Sequence, residues 1–130
     1  MDAPHRANYA LLPVLEQLGP SERLELPWAE FAGNRSSLLE FEVPIEAPID
    51  PYVEVQVYDV GEYGHEILVN GESLTGFDLP PGEGWQQWLD AVTGPELTAG
   101  TNTVQIHRDT TADDAFAVGN VVVHWKEPIE

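Results

Sequence analysis

The sequence predicts an all-β protein, an antiparallel β-sandwich of about eight short strands. Segments in which apolar and polar residues alternate recur along the chain, as expected for strands with one buried face. Turn residues separate these segments at intervals of about 8–12 residues, which is typical of sandwiches and barrels. A length of 130 residues fits a single domain over 1–130, with its core over 24–126.

The N-terminal part predicts little regular structure. Residues 1–23 are expected to be irregular, because Pro13 and the Gly19-Pro20 pair limit any helical turn that their apolar residues would suit. Residues 24–31 form a candidate strand, which Pro27 confines to a sheet edge or a bend.

Strand patterns are clear in the middle of the chain. Residues 39–43 alternate apolar side chains with glutamates, and over 52–59 three valines share one face. Residues 65–69 form a third strand, which runs directly into Asn70-Gly71. Both residues of that pair tolerate the positive φ of a type I′ turn, so we predict a hairpin with a return strand from residue 72.

The last third of the chain predicts two or three more strands. Residues 85–92 suit either a strand or a short helical turn, and 103–108 alternate as a strand. In 115–126 the apolar residues change parity along the segment. A strand cannot change faces without an extra residue, so we predict a bulge at Gly119-Asn120.

The charge balance predicts where the protein works. There are 23 Asp and Glu against five Lys and Arg, a formal net charge of -18, and Lys126 is the single lysine. Such an excess repels itself, and salt screens that repulsion. A hydrophobic content of 42% argues against a disordered acidic chain. We expect a cytoplasmic protein of a halophile that requires concentrated potassium salt; the alternative is an ordinary acidic protein with a basic partner.

Several classes of function are excluded or disfavoured. Nucleic-acid binding needs clustered Lys and Arg, which the chain lacks. No apolar run reaches the roughly 18 residues of a membrane span, and no secretory leader is recognisable. Without cysteine there is no disulfide framework, thiolate nucleophile or Cys-ligated zinc.

We assign no catalytic residue, no cofactor and no metal ligand. Close carboxylate pairs carry little information among so many acids, and the acidic stretch 109–114 lacks EF-hand spacing. The histidines show no HxH or HExxH spacing. An enzyme that uses His65, His107 or His124 with nearby carboxylates is kept as the alternative to a binding protein.

Aromatic residues are the candidate ligand-binding residues. Indole rings stack on sugars and other rings, and Trp85 and Trp88 flank two glutamines that can donate and accept hydrogen bonds. On a strand these tryptophans would face opposite ways, whereas on a helical turn they would share a side. Tyr58, Tyr63 and Phe77, on turns or outward positions, complete the candidate set.

Three segments also carry a resemblance. They are the hairpin Ile67-Leu68-Val69-Asn70-Gly71, the passage from Trp88 to Val104 with its Leu97…Gly100-Thr101-Asn102 motif, and the late strand from Asp114 to Val121. Over residues 38–126 the chain resembles the galactose-binding-domain-like jelly rolls found as carbohydrate-binding and accessory modules. This resemblance implies a jelly-roll fold and transfers no ligand residue. The whole chain is similar to an uncharacterised haloarchaeal family of small acidic proteins.

These observations predict a non-catalytic binding or interaction module. Its partner is expected to be a protein or a carbohydrate, contacted by loop aromatics. A protein is favoured slightly, since hydrophobic contact survives high salt and nothing in the sequence suggests export.

Overall fold

The computed structural model describes residues 4–129 and has nine strands in two packed sheets. The strands are β1 (His5–Leu18), β2 (Glu30–Gly33), β3 (Leu39–Val43), β4 (Ile49–Tyr58), β5 (Glu66–Val69), β6 (Glu72–Ser73), β7 (Trp85–Ala91), β8 (Gly100–His107) and β9 (Phe116–Pro128). The five-stranded sheet has the order β2-β1-β9-β4-β7, and the four-stranded sheet the order β3-β8-β5-β6. Neighbouring strands are antiparallel except β1 and β2, which are parallel. The predicted all-β sandwich is confirmed, with one strand more than expected.

The described residues contain no helix, and hence none with the length and apolar character needed to cross a bilayer.

The core lies between the two sheets and is built from the inward positions of alternating strands. Each such apolar side chain contributes about 1.5–3 kcal/mol by leaving water. The alternation is clearest in β4, where the three valines are buried, and in β5, where Ile67 and Val69 point inward as predicted. Val104 and Ile106 of β8 meet them from the neighbouring strand.

The prediction that residues 1–23 are irregular is wrong over 5–18, which form β1 beside β9 within the larger sheet; residues 1–3 lie outside the described part. Pro13 hid this strand. It pairs with Asn120, where the ladder between β1 and β9 shifts its register, and Leu15 has a φ of 51°. A proline has no N–H to donate, so an interrupted ladder accommodates it.

Residues 24–31 were predicted as a strand that Pro27 confines to a sheet edge or a bend, and the strand is wrong for most of the segment, which turns at Pro27-Trp28. Only Glu30–Gly33 is a strand, and it does form an edge of the sheet. The preceding residues run irregularly and bring Trp28 against the five-stranded sheet.

The structure decides one alternative and tests one prediction in the last third of the chain. Residues 85–91 are a strand, not a helical turn. The predicted bulge is confirmed: Val57 pairs with Val118 but Val55 with Val121, so Gly119 and Asn120 together oppose one residue of β4.

The predicted hairpin joins β5 to β6. Asn70 and Gly71 have φ of 51° and 84°, the signs that a type I′ turn requires. The Asn70 side chain also ties the turn to β8, accepting a hydrogen bond from the N–H of Thr103 (2.8 Å) and donating one to the Asn102 side chain (2.9 Å).

Replacing Gly71 with valine should lower the free energy of unfolding by about 1–3 kcal/mol, because a β-branched residue is strained at positive φ. A Cβ at this position meets no atom within 4 Å, so the cost is conformational and not a clash. Gly71→Asn is the matched control, since asparagine tolerates this region. Chemical denaturation should rank the wild type and Gly71→Asn close together and Gly71→Val well below; equal midpoints for all three would show that the turn is misassigned.

Glu127 joins the end of β9 to the start of β1. Its Oε1 accepts a hydrogen bond from Arg6 Nη2 (2.8 Å), and its Oε2 accepts from Asn8 Nδ2 and Trp125 Nε1 (both 2.9 Å). The side chain is buried. Hydrogen bonds from Asn8, Trp125 and Arg6, in that order of importance, lower the pKa of Glu127 from 4.5 to about 2.

Glu127→Gln should therefore destabilise the protein in a pH-dependent way. The folded pKa lies below the unfolded one, so the carboxylate's contribution is fully present above pH 4.5 and is lost as the pH falls through about 2. Urea unfolding at a series of pH values, at constant salt, should show a gap between wild type and variant that narrows below pH 4.5. Glu40→Gln, at an exposed position of β3, is the control; a gap that is the same at every pH contradicts the prediction.

A hydrogen-bond network around the buried side chains of His65 and Asp114 fastens the β4–β5 loop to the β8–β9 loop. Asp114 accepts hydrogen bonds of 3.0–3.2 Å from three backbone N–H groups, those of Gly61, Glu62 and Ala115. His65 Nε2 lies 2.7 Å from Asp114 Oδ2, and His65 Nδ1 accepts the N–H of Asp109 at 2.9 Å. Because Nδ1 is an acceptor, the ring proton is on Nε2 and is donated to Asp114.

Candidate functional site

Three aromatic side chains meet on the outer face of the five-stranded sheet. Tyr58 ends β4, Trp85 begins β7, and the two residues are paired across the ladder. Trp28 arrives from the segment between β1 and β2. Ring centroids lie 5.4 Å apart for Tyr58 and Trp85 and 5.5 Å for Trp28 with either ring. We call these residues the aromatic cluster.

The bulge in β9 sets the position of Trp85. A Cβ added at Gly119 would lie 2.9 Å from the indole ring of Trp85 and 3.0 Å from Gln56 Oε1. Glycine at this position therefore lets the indole lie across the β9 backbone. Gln56 Oε1 also accepts the N–H of Asn120 at 3.1 Å, which holds its side chain beside the ring.

A second pair of contacts fixes the strand ends that carry the cluster. The N–H of Asp59 donates to the carbonyl of Gly84 at 3.1 Å, and the N–H of Gly84 donates to Asp59 Oδ1 at 2.6 Å. Tyr58 and Trp85 are thus held by reciprocal bonds just beyond their strands. The cluster is still open to solvent: Trp28 is 39% and Trp85 49% exposed.

The cluster belongs to a sheet face with few acids. The register of β1, β9, β4 and β7 places these residues on the outer face: Tyr9, His124, Tyr52 and Ala91; Leu11, Val122, Glu54 and Leu89; Pro13, Asn120, Gln56 and Gln87; Ala117, Tyr58 and Trp85. Among these positions Glu54 is the single carboxylate, in a chain with 23 acids. Its charge is engaged, since Oε1 lies 2.7 Å from His124 Nε2 and Oε2 accepts from Gln87 Nε2.

Aromatic contacts continue at the other end of this face. The rings of Tyr52 and His124 are stacked, with centroids 4.4 Å apart and planes inclined by 7°. Tyr9 lies 6.2 Å from His124 on the other side and is exposed. Aromatic rings therefore lie at both ends of this face, and a row of polar side chains separates them.

The predicted site residues fall in different places. Tyr58 and Trp85 come together in the cluster. Trp88 points inward against the core, where its Nε1 has no hydrogen-bond partner among residues 4–129, and Phe77 also packs on the core. Tyr63 is exposed on the β4–β5 loop and makes no ring contact with the cluster.

Sequence reasoning passed over Trp28. Trp28 was left out of the candidate ligand-binding residues, since its segment, 24–31, was interpreted as a strand. The Pro27-Trp28 pair was the usable signal, since a proline-interrupted segment is excluded from the centre of a sheet and leaves its aromatic free to cover another element.

The three histidines of the enzyme alternative do not converge. His65 is buried with Asp114, His107 Nε2 lies 2.8 Å from Gln105 Oε1, and His124 contacts Glu54. Within residues 4–129, no three His, Asp or Glu side chains are grouped as metal ligands.

The fold places the protein among jelly-roll β-sandwiches. A similar solved structure is the carbohydrate-binding CBM36-1 domain of a multidomain xylanase from the hindgut metagenome of Trinervitermes trinervoides. The TM-score is 0.60 over 89% of this chain and 96% of that one, at 9% sequence identity. At that identity the likeness shows the fold, and it confirms the predicted jelly roll.

The chain belongs to a family of unknown function (DUF7383), whose model matches residues 6–127. No curated protein matches the sequence.

Proposed function

We propose that this protein is a non-catalytic interaction module that binds a protein partner through the outer face of its five-stranded sheet. The observation that carries the proposal is the exposed cluster of Trp28, Tyr58 and Trp85 on a face whose outer positions from Tyr9 to Trp85 include one carboxylate, in a protein with 23 acids. We also propose, from the charge balance, that it works in the potassium-rich cytoplasm of a halophile.

The chemistry of this face suits an uncharged, apolar protein surface. Hydrophobic contact does not depend on unscreened charge, so it persists in concentrated salt where ion-pair steering is lost. Tryptophan and tyrosine are also the residues that most often dominate protein interfaces.

The shape of the cluster favours a protein over a single ring. Trp28 and Trp85 are inclined by 37°, and Tyr58 meets Trp28 edge-on at 88°. These rings do not form one flat platform, and further aromatic and aliphatic side chains lie on the same face as far as Tyr9, beyond a row of polar side chains.

A carbohydrate is the second candidate ligand. Gln56 and Gln87 place amide donors and acceptors beside the exposed indole of Trp85, an arrangement that can stack on a sugar ring and bind its hydroxyl groups. The solved structure with a similar fold is a carbohydrate-binding domain, which supports testing this class.

Trp85→Ser should remove partner binding. The test is affinity capture from an extract of the source cells in about 2 M KCl, followed by purification of each captured protein and calorimetric titration. Loss of a central tryptophan costs about 2 kcal/mol or more, so we expect an affinity weakened at least about 30-fold. Tyr63→Ser, which alters an exposed aromatic outside the cluster, should bind as the wild type does.

In a parallel experiment, binding to polysaccharides, including xylan, is measured by affinity electrophoresis. If a polysaccharide retards the wild type but not Trp85→Ser, and no purified protein binds, the ligand is a carbohydrate and not a protein. Binding of every ligand unchanged by Trp85→Ser would overturn the proposed site.

A further inference from the structure

A polar cavity of about 270 Å³ lies at one end of the four-stranded sheet. It is lined by the β2–β3 loop at Asn34 and Arg35, by the start of β5 at Glu66, and by the end of β8 with the residues that follow, including His107 and Arg108. The aromatic cluster contributes no residue to it.

Two of the protein's five Lys and Arg line this cavity. Arg6, Arg23 and Lys126 each lie within 4 Å of a carboxylate. Among residues 4–129, Arg35 and Arg108 do not. In so acidic a protein, two arginines without a carboxylate partner at one cavity require an explanation.

Arg108 is buried, and its hydrogen bonds go to neutral acceptors. Nε and Nη2 donate to Asn34 Oδ1 at 3.1 and 2.8 Å, and Nη1 donates to the carbonyls of Asp109 (3.1 Å) and Ala112 (2.7 Å). These bonds satisfy N–H groups and hold the loop, but they do not neutralise the charge. A buried charge is costly unless it is paired, and the carboxylate of Asp109 at the same cavity offsets the charge of Arg108 without forming an ion pair with it among residues 4–129.

The two carboxylates at the cavity each accept a hydrogen bond from a hydroxyl group, which leaves their negative charges in place. Glu66 accepts a hydrogen bond from the Ser73 hydroxyl. Asp109 Oδ1 accepts the N–H (2.9 Å) and the hydroxyl (2.7 Å) of Thr111. Hydrogen bonds from Thr111, first from its hydroxyl and then from its N–H, lower the pKa of Asp109, and the charge of Arg108 lowers it further.

His107 lies at the same cavity and is acted on by charges of both signs. Burial, and next the charge of Arg35, lower its pKa, whereas the charge of Glu66 raises it. A bound negative group would therefore meet favourable charges from two separate loops.

We propose that this cavity binds a small molecule through an oxyanion group, a carboxylate, phosphate or sulfate, held between Arg35 and Arg108. Guanidinium groups bind such oxyanions with short, charge-assisted hydrogen bonds. The cavity exceeds the volume of the anion alone, so it has room for an organic body attached to it.

The test is titration of the folded protein with potassium acetate, phosphate and sulfate, at constant ionic strength and in about 2 M KCl. The readout is the NMR signals of Arg108 Nε–H and the His107 ring. We expect saturable shifts of both signals with at least one of the three anions, and the preferred anion identifies the oxyanion group.

Arg35→Gln is the test variant, because Arg108→Gln would remove the hydrogen bonds that hold the loop. Loss of one charge-assisted contact should weaken binding about tenfold. Arg23→Gln removes an equal charge at a surface ion pair and should leave the affinity unchanged. Shifts that stay linear for all three anions, or an affinity unaltered by Arg35→Gln, would overturn the inference without bearing on the aromatic cluster.

Discussion

Asp114→Asn should destabilise the fold by about 3 kcal/mol, the largest effect we expect from an isosteric change. The carboxylate accepts hydrogen bonds from backbone N–H groups on two loops and from His65, and the side chains of Asp114 and His65 are buried. An amide keeps the shape but replaces one acceptor oxygen by an NH₂ group. That NH₂ would face N–H donors, so at least one donor at a buried or partly buried position loses its partner.

Asp113→Asn is the matched control for this experiment. It removes the same charge from the neighbouring residue, whose side chain is exposed and contacts Arg23 on the surface. Urea unfolding of both variants in concentrated KCl should leave Asp113→Asn near the wild type, because exposed pairs contribute about 0–1 kcal/mol. If the two variants are equally stable, the network does not hold the loops together.

The sequence predicted the strands that have one solvent-exposed face. In β4, β5 and β8 the period-2 alternation survives because one side packs on the core and the other faces solvent. The same logic located the bulge at Gly119-Asn120, since a change of parity in β9 has one structural solution.

β1 escaped prediction because both of its faces carry apolar residues. Apolar residues face both the core and the outer side, as with Leu12 inside and Leu11 outside, so no alternation marks the strand. Pro13 strengthened the wrong interpretation. Its place in a sheet depends on the interrupted ladder in β9, a feature more than 100 residues away in the chain.

The sequence predicted two of the three residues of the aromatic cluster. Tyr58 was chosen as an aromatic at a turn or outward position, and Trp85 because it and Trp88 flank two glutamines. Their contact depends on the β4–β7 register, which the sequence does not reveal. Trp28 reaches them through an irregular segment with no periodic signal. The pairing of Arg35 with Arg108 at one cavity is likewise a product of the fold, since 73 positions separate the two arginines in the sequence.

Salt should change the stability of this protein more than any single substitution. The formal net charge is -18, and within residues 4–129 only three Lys or Arg side chains form ion pairs with carboxylates. The remaining acids repel one another over a Debye length of about 30 Å at 0.01 M salt but about 3 Å at 1 M. We therefore expect tertiary structure to be lost in dilute buffer and to be complete, with a dominant β signal, in about 2–3 M KCl.

Circular dichroism and urea unfolding across a KCl series would measure this dependence, and two controls separate its causes. A neutral osmolyte at matched osmolality strengthens burial without screening charge, so it should restore much less stability than KCl if repulsion dominates. Glu40 and Glu42 lie at exposed positions of β3. Replacing both with glutamine should reduce the salt dependence, because each change removes one repelling charge and leaves the core untouched. A protein equally stable in salt-free buffer would refute the proposed adaptation to salt, and with it the argument that the acid-poor sheet face was kept apolar for binding under those conditions.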